Sequence, residues 1–220
     1  MQMQLWSGDD KYEDFLTKWG FPPGSGAAAE MEKLYPNRKP KADGTDLWEL
    51  PSSYLIGDML FHAPMMHHAD ALTTVPNKQS GKTMPVWVYR VDTVPSHLLE
   101  TKERFGMIHT GEIPFIMRSD FLWNSDESSD DAKTANAMSQ RWVSYAVTGV
   151  PCAFLATAGV ITADLSTAND WPKYEGKDPE FLIFNDAGNV EPAKIATWRK
   201  KEADAIRAMT QKKMDGLDGR

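Results

Sequence analysis

Residues 84–91 (MPVWVYRV) are β-branched, aromatic and almost continuously apolar, with no alternation that would leave one face for water. Such a run reads as an interior strand, covered on both faces. It obliges the chain to provide further strands and covering layers. Only one other segment answers with the same pattern, residues 180–184 (EFLIF).

The rest of the periodic sequence is helical. Residues 11–20 place Tyr12, Phe15, Leu16 and Trp19 at helical spacing, and Gly20-Phe21-Pro22-Pro23 ends the run. Residues 27–34 form a second short helix stopped by Tyr35-Pro36. Residues 56–72 repeat their apolar positions at three and four, with Pro64 kinking or restarting the helix because it has no amide hydrogen to donate. Residues 130–147 carry the strongest pattern, with Ser128 and Asp131 as a capping-box-like start. Ala135, Met138, Trp142 and Tyr145 share one face of that helix, and Gly149 and Pro151 end it. Residues 191–209 read as an amphipathic terminal helix, with Pro192 near its start and Ile195, Trp198 and Met209 inward.

Between these segments, residues 36–45 are a loop, 77–82 a turn and 92–106 a long excursion with few periodic signals. Residues 152–170 have little pattern, and their apolar run AFLATAGVI fits no element. Two strands against five or six helical segments are too few for a complete doubly wound fold. The expectation is an α/β chain carrying part of a sheet.

Length and composition limit the alternatives. The 220 residues suit one domain with a sizeable core, and eight Trp and nine Phe need one. A net charge of −7 argues against a general nucleic-acid binder or a polybasic membrane-surface protein. A lone cysteine, Cys152, excludes an intrachain disulfide framework and a cysteine-based zinc site. No stretch has the apolar length of a membrane span, the start MQMQLWSGDD has no secretory pattern, and no glycosylation sequon occurs. These features favour a cytoplasmic setting.

Five ordered motifs then carry a resemblance. Gly57-Asp58 is followed by Phe61, Pro64 and Ala69; Val86-Trp87-Val88-Tyr89-Arg90-Val91 is the apolar strand. Gly106-Met107-Ile108-His109-Thr110-Gly111-Glu112-Ile113-Pro114-Phe115 follows it. Arg141-Trp142-Val143-Ser144-Tyr145 leads to Thr148-Gly149-Val150-Pro151, and Trp171-Pro172-Lys173-Tyr174 comes last. In this order, from about Glu13 to Ile206, the chain resembles the C-terminal portion of the type-B carboxylesterases, the α/β hydrolases that include the cholinesterases.

The resemblance implies a partial α/β-hydrolase fold, the C-terminal sheet strands with their covering helices, in which residues 1–220 form one segment. It implies that His109 is the histidine of a Ser–acid–His triad and Glu112 a structural glutamate that fixes its loop. The family reaction is carboxylic-ester hydrolysis through an acyl-serine, on small-molecule esters, with no metal and no organic cofactor. The nucleophile would sit in a Gly-x-Ser-x-Gly elbow, and no such motif occurs in these residues. Ser7-Gly8-Asp9-Asp10 does not reproduce the family's acidic turn, so the acid is expected before Met1. With the N-terminal half absent, the chain alone is expected to be inactive, since a base without a nucleophile has nothing to activate. Some cholinesterase-like proteins that have lost the triad work through surfaces, so a non-catalytic binding or adhesion module is the alternative.

Other reactive side chains have plainer readings. His109 and Glu112 are three apart, a spacing that could share a metal, but the structural role is preferred. His62 and His67 are five apart rather than four, so with His68 and Asp70 they do not make a zinc helix. Cys152 has no neighbouring base or basic cluster, and Ser96 and His97 are adjacent in an extended loop and point apart. The basic C-terminus reads as a solvated helix face, and Trp87, Trp142, Trp171 and Trp198 as packing. If half of the sheet is missing, Val86, Val88 and residues 181–184 lack covering partners, and the chain binds hydrophobic dyes and self-associates through the sheet edge.

Overall fold

The computed structural model describes residues 12–39, 41–42, 50–98, 106–119, 126–157, 160–163 and 170–218. The chain divides into two compact units. One is built from residues up to Asp70 together with those from Arg199 onward, and the other lies between Ala71 and Trp198.

The first unit is helical. Helix α1 (Tyr12–Lys18) buries Tyr12, Phe15 and Leu16, the positions that the sequence spacing marks as one face. Helix α2 (Gly26–Leu34) starts at Ser25, whose side chain accepts from the Ala28 amide as an N-cap. Helix α3 (Pro51–Gly57) runs through a π-turn (Asp58–His62) into α4 (Ala63–Thr74), which passes into the second unit. The wider turn absorbs Pro64: the Ala63 amide reaches back to the Asp58 carbonyl, so the ladder has already loosened where the proline ring needs room. Phe15, Leu16, Met31, Tyr35 and Leu55 form the core of this unit. Helix α7 (Lys200–Asp218) completes it.

The second unit holds a mixed sheet in the order β1-β4-β5. Strand β1 (Tyr89–Val91) is parallel to β4 (Glu180–Phe184), with Tyr89 opposite Leu182. Strand β5 (Val190–Lys194) is antiparallel to β4. Helix α5 (Ile113–Ile116) and helix α6 (Asp130–Thr148) pack with them, and Phe115, Ala135, Met138, Trp171, Leu182 and Phe184 form the core.

Several sequence expectations change here. The run 84–91 pairs as a strand only over Tyr89–Val91. Upstream, Val88 O accepts from Leu182 N at 3.0 Å, Val86 O from Tyr174 N at 2.8 Å, and Met84 N donates to Leu72 O at 2.9 Å. These partners belong to three different segments, so no continuous ladder forms, and Met84 is exposed. Residues 190–194 are strand rather than helix start, because β4 offers them an edge and Pro192 is tolerated on an edge strand. The described residues of the unplaced apolar run pair as antiparallel strands, β2 (Phe154–Thr157) with β3 (Val160–Ala163).

The cap of α6 is Ser129, which accepts from the Ala132 amide, and not Ser128. Asp131 is instead buried and accepts from the Ser96 amide at 3.0 Å. Nor is the sheet bare: Val88 and all of residues 181–184 are buried. One face of β4 lies in the α6 core, and on the other Phe181 meets Trp198 at 4.9 Å with the Arg90 guanidinium 5.4 Å from its ring. Among the described residues, the outer edges of β1 and β5 pair with no further strand.

Candidate functional site

The histidine loop is held by its backbone. Gly106 takes φ 61° and Thr110 φ 69°, turning the chain on either side of His109. Gly111 N donates to Ile108 O at 3.0 Å, and Ile113 N to Thr110 O at 3.2 Å. Gly111 is buried, and a Cβ there would come within 3.0 Å of Ile108 O and 3.1 Å of Met107 Sδ. Glycine is therefore favoured by close approach rather than by dihedral angle. Helix α5 follows at once and drives Phe115, fully buried, into the core of the second unit. His109 itself is exposed. The result is an accessible imidazole on an anchored turn, bordered by the exposed apolar side chains of Ile108, Ile113 and Met117.

Glu112 is half-buried, and its carbonyl accepts from the amides of Phe115 at 3.0 Å and Ile116 at 3.1 Å. The loop is thus tied through the backbone of Glu112, where the resemblance led us to expect its side chain. Its carboxylate acts on Tyr89, whose phenol is pushed up to about 12 by burial first and then by the Glu112 charge.

The serines considered in the sequence are engaged elsewhere. Ser96 Oγ donates to the Asp131 carboxylate, in the short 3₁₀ turn Ser96–Leu98 that also holds His97. Ser144 is buried on α6, donates to Val150 O at 2.8 Å and lies 2.9 Å from Cys152 Sγ, which is also buried. Neither is presented as a nucleophile. The residues in which the acidic turn was sought, Ser7 to Asp10, lie outside the described residues.

The histidine-rich helix is organised by a carboxylate. Asp58, 4% exposed, accepts from Tyr35 Oη at 2.7 Å and from Arg199 Nε and Nη2 at 2.8 and 2.7 Å. His62 Nδ1 lies 3.2 Å from its other oxygen. Burial works to raise the Asp58 pKa, but the bonds to His62, Arg199 and Tyr35 and the guanidinium charge outweigh it and hold the carboxyl below the ordinary range. Burial and the Asp58 charge push the Tyr35 phenol far up. Arg199 also lies over the Tyr54 ring at 4.3 Å. Asp70 pairs with Arg207 at 3.1 Å. Among the described residues no three of the histidines, cysteine and carboxylates converge as metal ligands. Sequence reasoning did not find this hub, since Arg199 is 141 residues from Asp58; the Gly57-Asp58 pair was its one visible sign.

Residues 14–205 match the sequence profile of the carboxylesterase family. A solved structure of a PNB esterase resembles the chain with a TM-score of 0.51 at 20% identity, covering 82% of this chain. The chain spans 30% of that esterase's length. No curated protein sequence matches it. No helix among the described residues is long and apolar enough to cross a membrane.

Proposed function

The chain belongs to the carboxylesterase family, and from that premise we propose that His109 is the general acid and base of carboxylic-ester hydrolysis. In this reading the imidazole takes the proton of a serine hydroxyl as its oxygen attacks the ester carbonyl. The imidazolium then gives that proton to the departing alkoxide, leaving an acyl-serine. Water attacks the acyl group, His109 accepts its proton, and the serine leaves with the proton returned. The serine and the orienting acid come from outside these 220 residues, which contain no Gly-x-Ser-x-Gly.

The observation that carries the reading is the loop itself. An exposed histidine on a turn locked by Gly111 and Phe115 has the fixed position that proton transfer demands. The apolar side chains of Ile108, Ile113 and Met117 beside it suit the acyl or alcohol part of a small-molecule ester.

Self-association through β1 belongs to the same proposal. Val88 and Asp92 bond toward β4, so by parity Tyr89 and Val91 turn their amides and carbonyls to the opposite side. An unpaired row of that kind accepts another strand.

The test uses a fluorophosphonate probe read by intact mass. The 220-residue chain is expected to stay unlabelled, as is His109→Ala. An adduct on the parent chain would show a working serine within it and overturn the assignment of the nucleophile. In a longer product of the gene that contains the serine elbow, His109→Ala should lower kcat by at least about a thousandfold. A loss below tenfold would remove His109 from the mechanism.

A further inference from the structure

Within the second unit, beside the segment leading into β1, a cavity of about 330 Å³ opens against helix α6. That is the size of a small-ligand pocket, which generally falls at about 300–1,000 Å³. Its walls include Trp87, Tyr89, Trp142, Tyr145 and Trp171. The rings brace one another: Tyr89 meets Trp142 edge-on at 4.8 Å, and Trp87 meets Tyr145 at 5.4 Å. The Trp171 indole N–H is occupied by Val88 O at 3.0 Å. The walls are therefore preformed.

Among the described lining residues one is charged. Arg141 is only 6% exposed, on a helix whose sequence pattern gave no reason to bury a cation. Its Nη1 donates to the Ala137 carbonyl at 2.9 Å, and its Nε is buried without an acceptor. No carboxylate among the described residues lies within ion-pair distance of it; Asp170 and Cys152 act on it only at longer range. A buried guanidinium that lacks an anion is strongly unfavourable, and natural interiors rarely keep one without a counter-charge.

We propose that this cavity binds a small organic carboxylate, its flat apolar body among the aromatic rings and its carboxylate paired with Arg141. The guanidinium fork matches the planar carboxylate, and the aromatic walls favour a flat partner. A single positive charge, with no second cation among the described lining residues, balances a monoanion and would leave a phosphate dianion half compensated. The site requires neither His109 nor ester hydrolysis.

The probes are naphthalene-2-carboxylate and its neutral counterpart 2-naphthamide, titrated calorimetrically and by tryptophan fluorescence. The carboxylate should bind at one saturable site at least about tenfold more tightly than the amide, the scale of one charge-assisted hydrogen bond. Arg141→Met should reduce carboxylate binding to the level of the amide and leave the amide unchanged. Tyr145→Asp, at a wall position 48% exposed, tests the same point without touching a buried residue. It should weaken the carboxylate about tenfold more than the amide, since both probes lose the same ring from the wall and only the carboxylate meets a like charge. Equal affinity for the two probes, no saturable binding at millimolar concentrations, or a Tyr145→Asp effect of the same size on both probes would overturn the proposal. So would an affinity that falls as a dimer forms with rising protein concentration, which would give the cavity to a second copy of the chain.

Discussion

Replacing Asp58 by Asn removes one negative charge and almost no volume from the centre of the first unit. The carboxylate is buried and receives two bonds from Arg199 and one from Tyr35, all between 2.7 and 2.8 Å. An Asn retains one acceptor and turns an NH₂ group toward donors, leaving the guanidinium without its hydrogen-bonded counter-charge and with only the more weakly acting Glu202. Breaking a buried pair in this way costs about 3–5 kcal/mol. At about 1.4 kcal/mol per power of ten, opening of the unit should become about two to four powers of ten more frequent.

The assay is hydrogen exchange resolved by peptide, comparing Asp58→Asn with the parent chain. Amides of α1, α2 and α7 should lose that protection at neutral pH, whereas those of α6, in the other unit, should not. The pH dependence follows from the depressed pKa of Asp58. A folded pKa below the unfolded one gives a contribution that is complete above the ordinary aspartate range, about pH 4 and up. It is lost as pH falls through the folded value, where the parent carboxyl is itself neutral. The difference between parent and variant should therefore close in acid. Unchanged protection at neutral pH, or a difference of constant size down to the acid limit, would refute the account of Asp58 as the charged hub of this unit.

Two further perturbations address the sheet and the histidine loop. Gly111→Ala brings a methyl against Ile108 O, and should lower stability by about 1–3 kcal/mol and shift the His109 ring resonances, read by thermal unfolding and NMR. Val91→Pro removes an amide from the open side of β1 and leaves the bonds to β4 in place. If the edge drives self-association, sedimentation should show the concentration-dependent oligomer lost in this variant while near-UV circular dichroism is retained.

The burial of the sheet gives a physical reason for expecting a chain that keeps its fold. The apolar run suggested exposed strand faces in the absence of further strands. Instead, Phe181 is covered by Trp198 and Arg90, and Leu182 and Phe184 by the α6 core. Among the described residues the second unit thus covers its faces with its own side chains and leaves its strand edges open. An open edge favours strand addition, whereas bare faces would favour non-specific collapse.

From sequence alone, the periodicity of residues 11–20 and 130–147, with the stops at Gly20 and Gly149, determined α1 and α6, although on α6 Tyr145 is exposed and Arg141 buried. The apolar density of residues 180–184 determined β4, and five ordered motifs determined the family. Those signals are local or ordered along the chain, so adjacent residues suffice to read them. Tertiary structure alone decided that Val190–Lys194 is a strand, because only the edge of β4 makes an extended VEPAK favourable. It decided that Asp131 tethers Ser96 across 35 residues and that Asp58 meets Arg199 across 141. It also left Arg141 buried beside an aromatic cavity with no ion pair among the described residues and with its Nε unpartnered. A charge shows in a sequence as a residue type, but its partner and its burial depend on which distant segments fold around it, and no local pattern carries that.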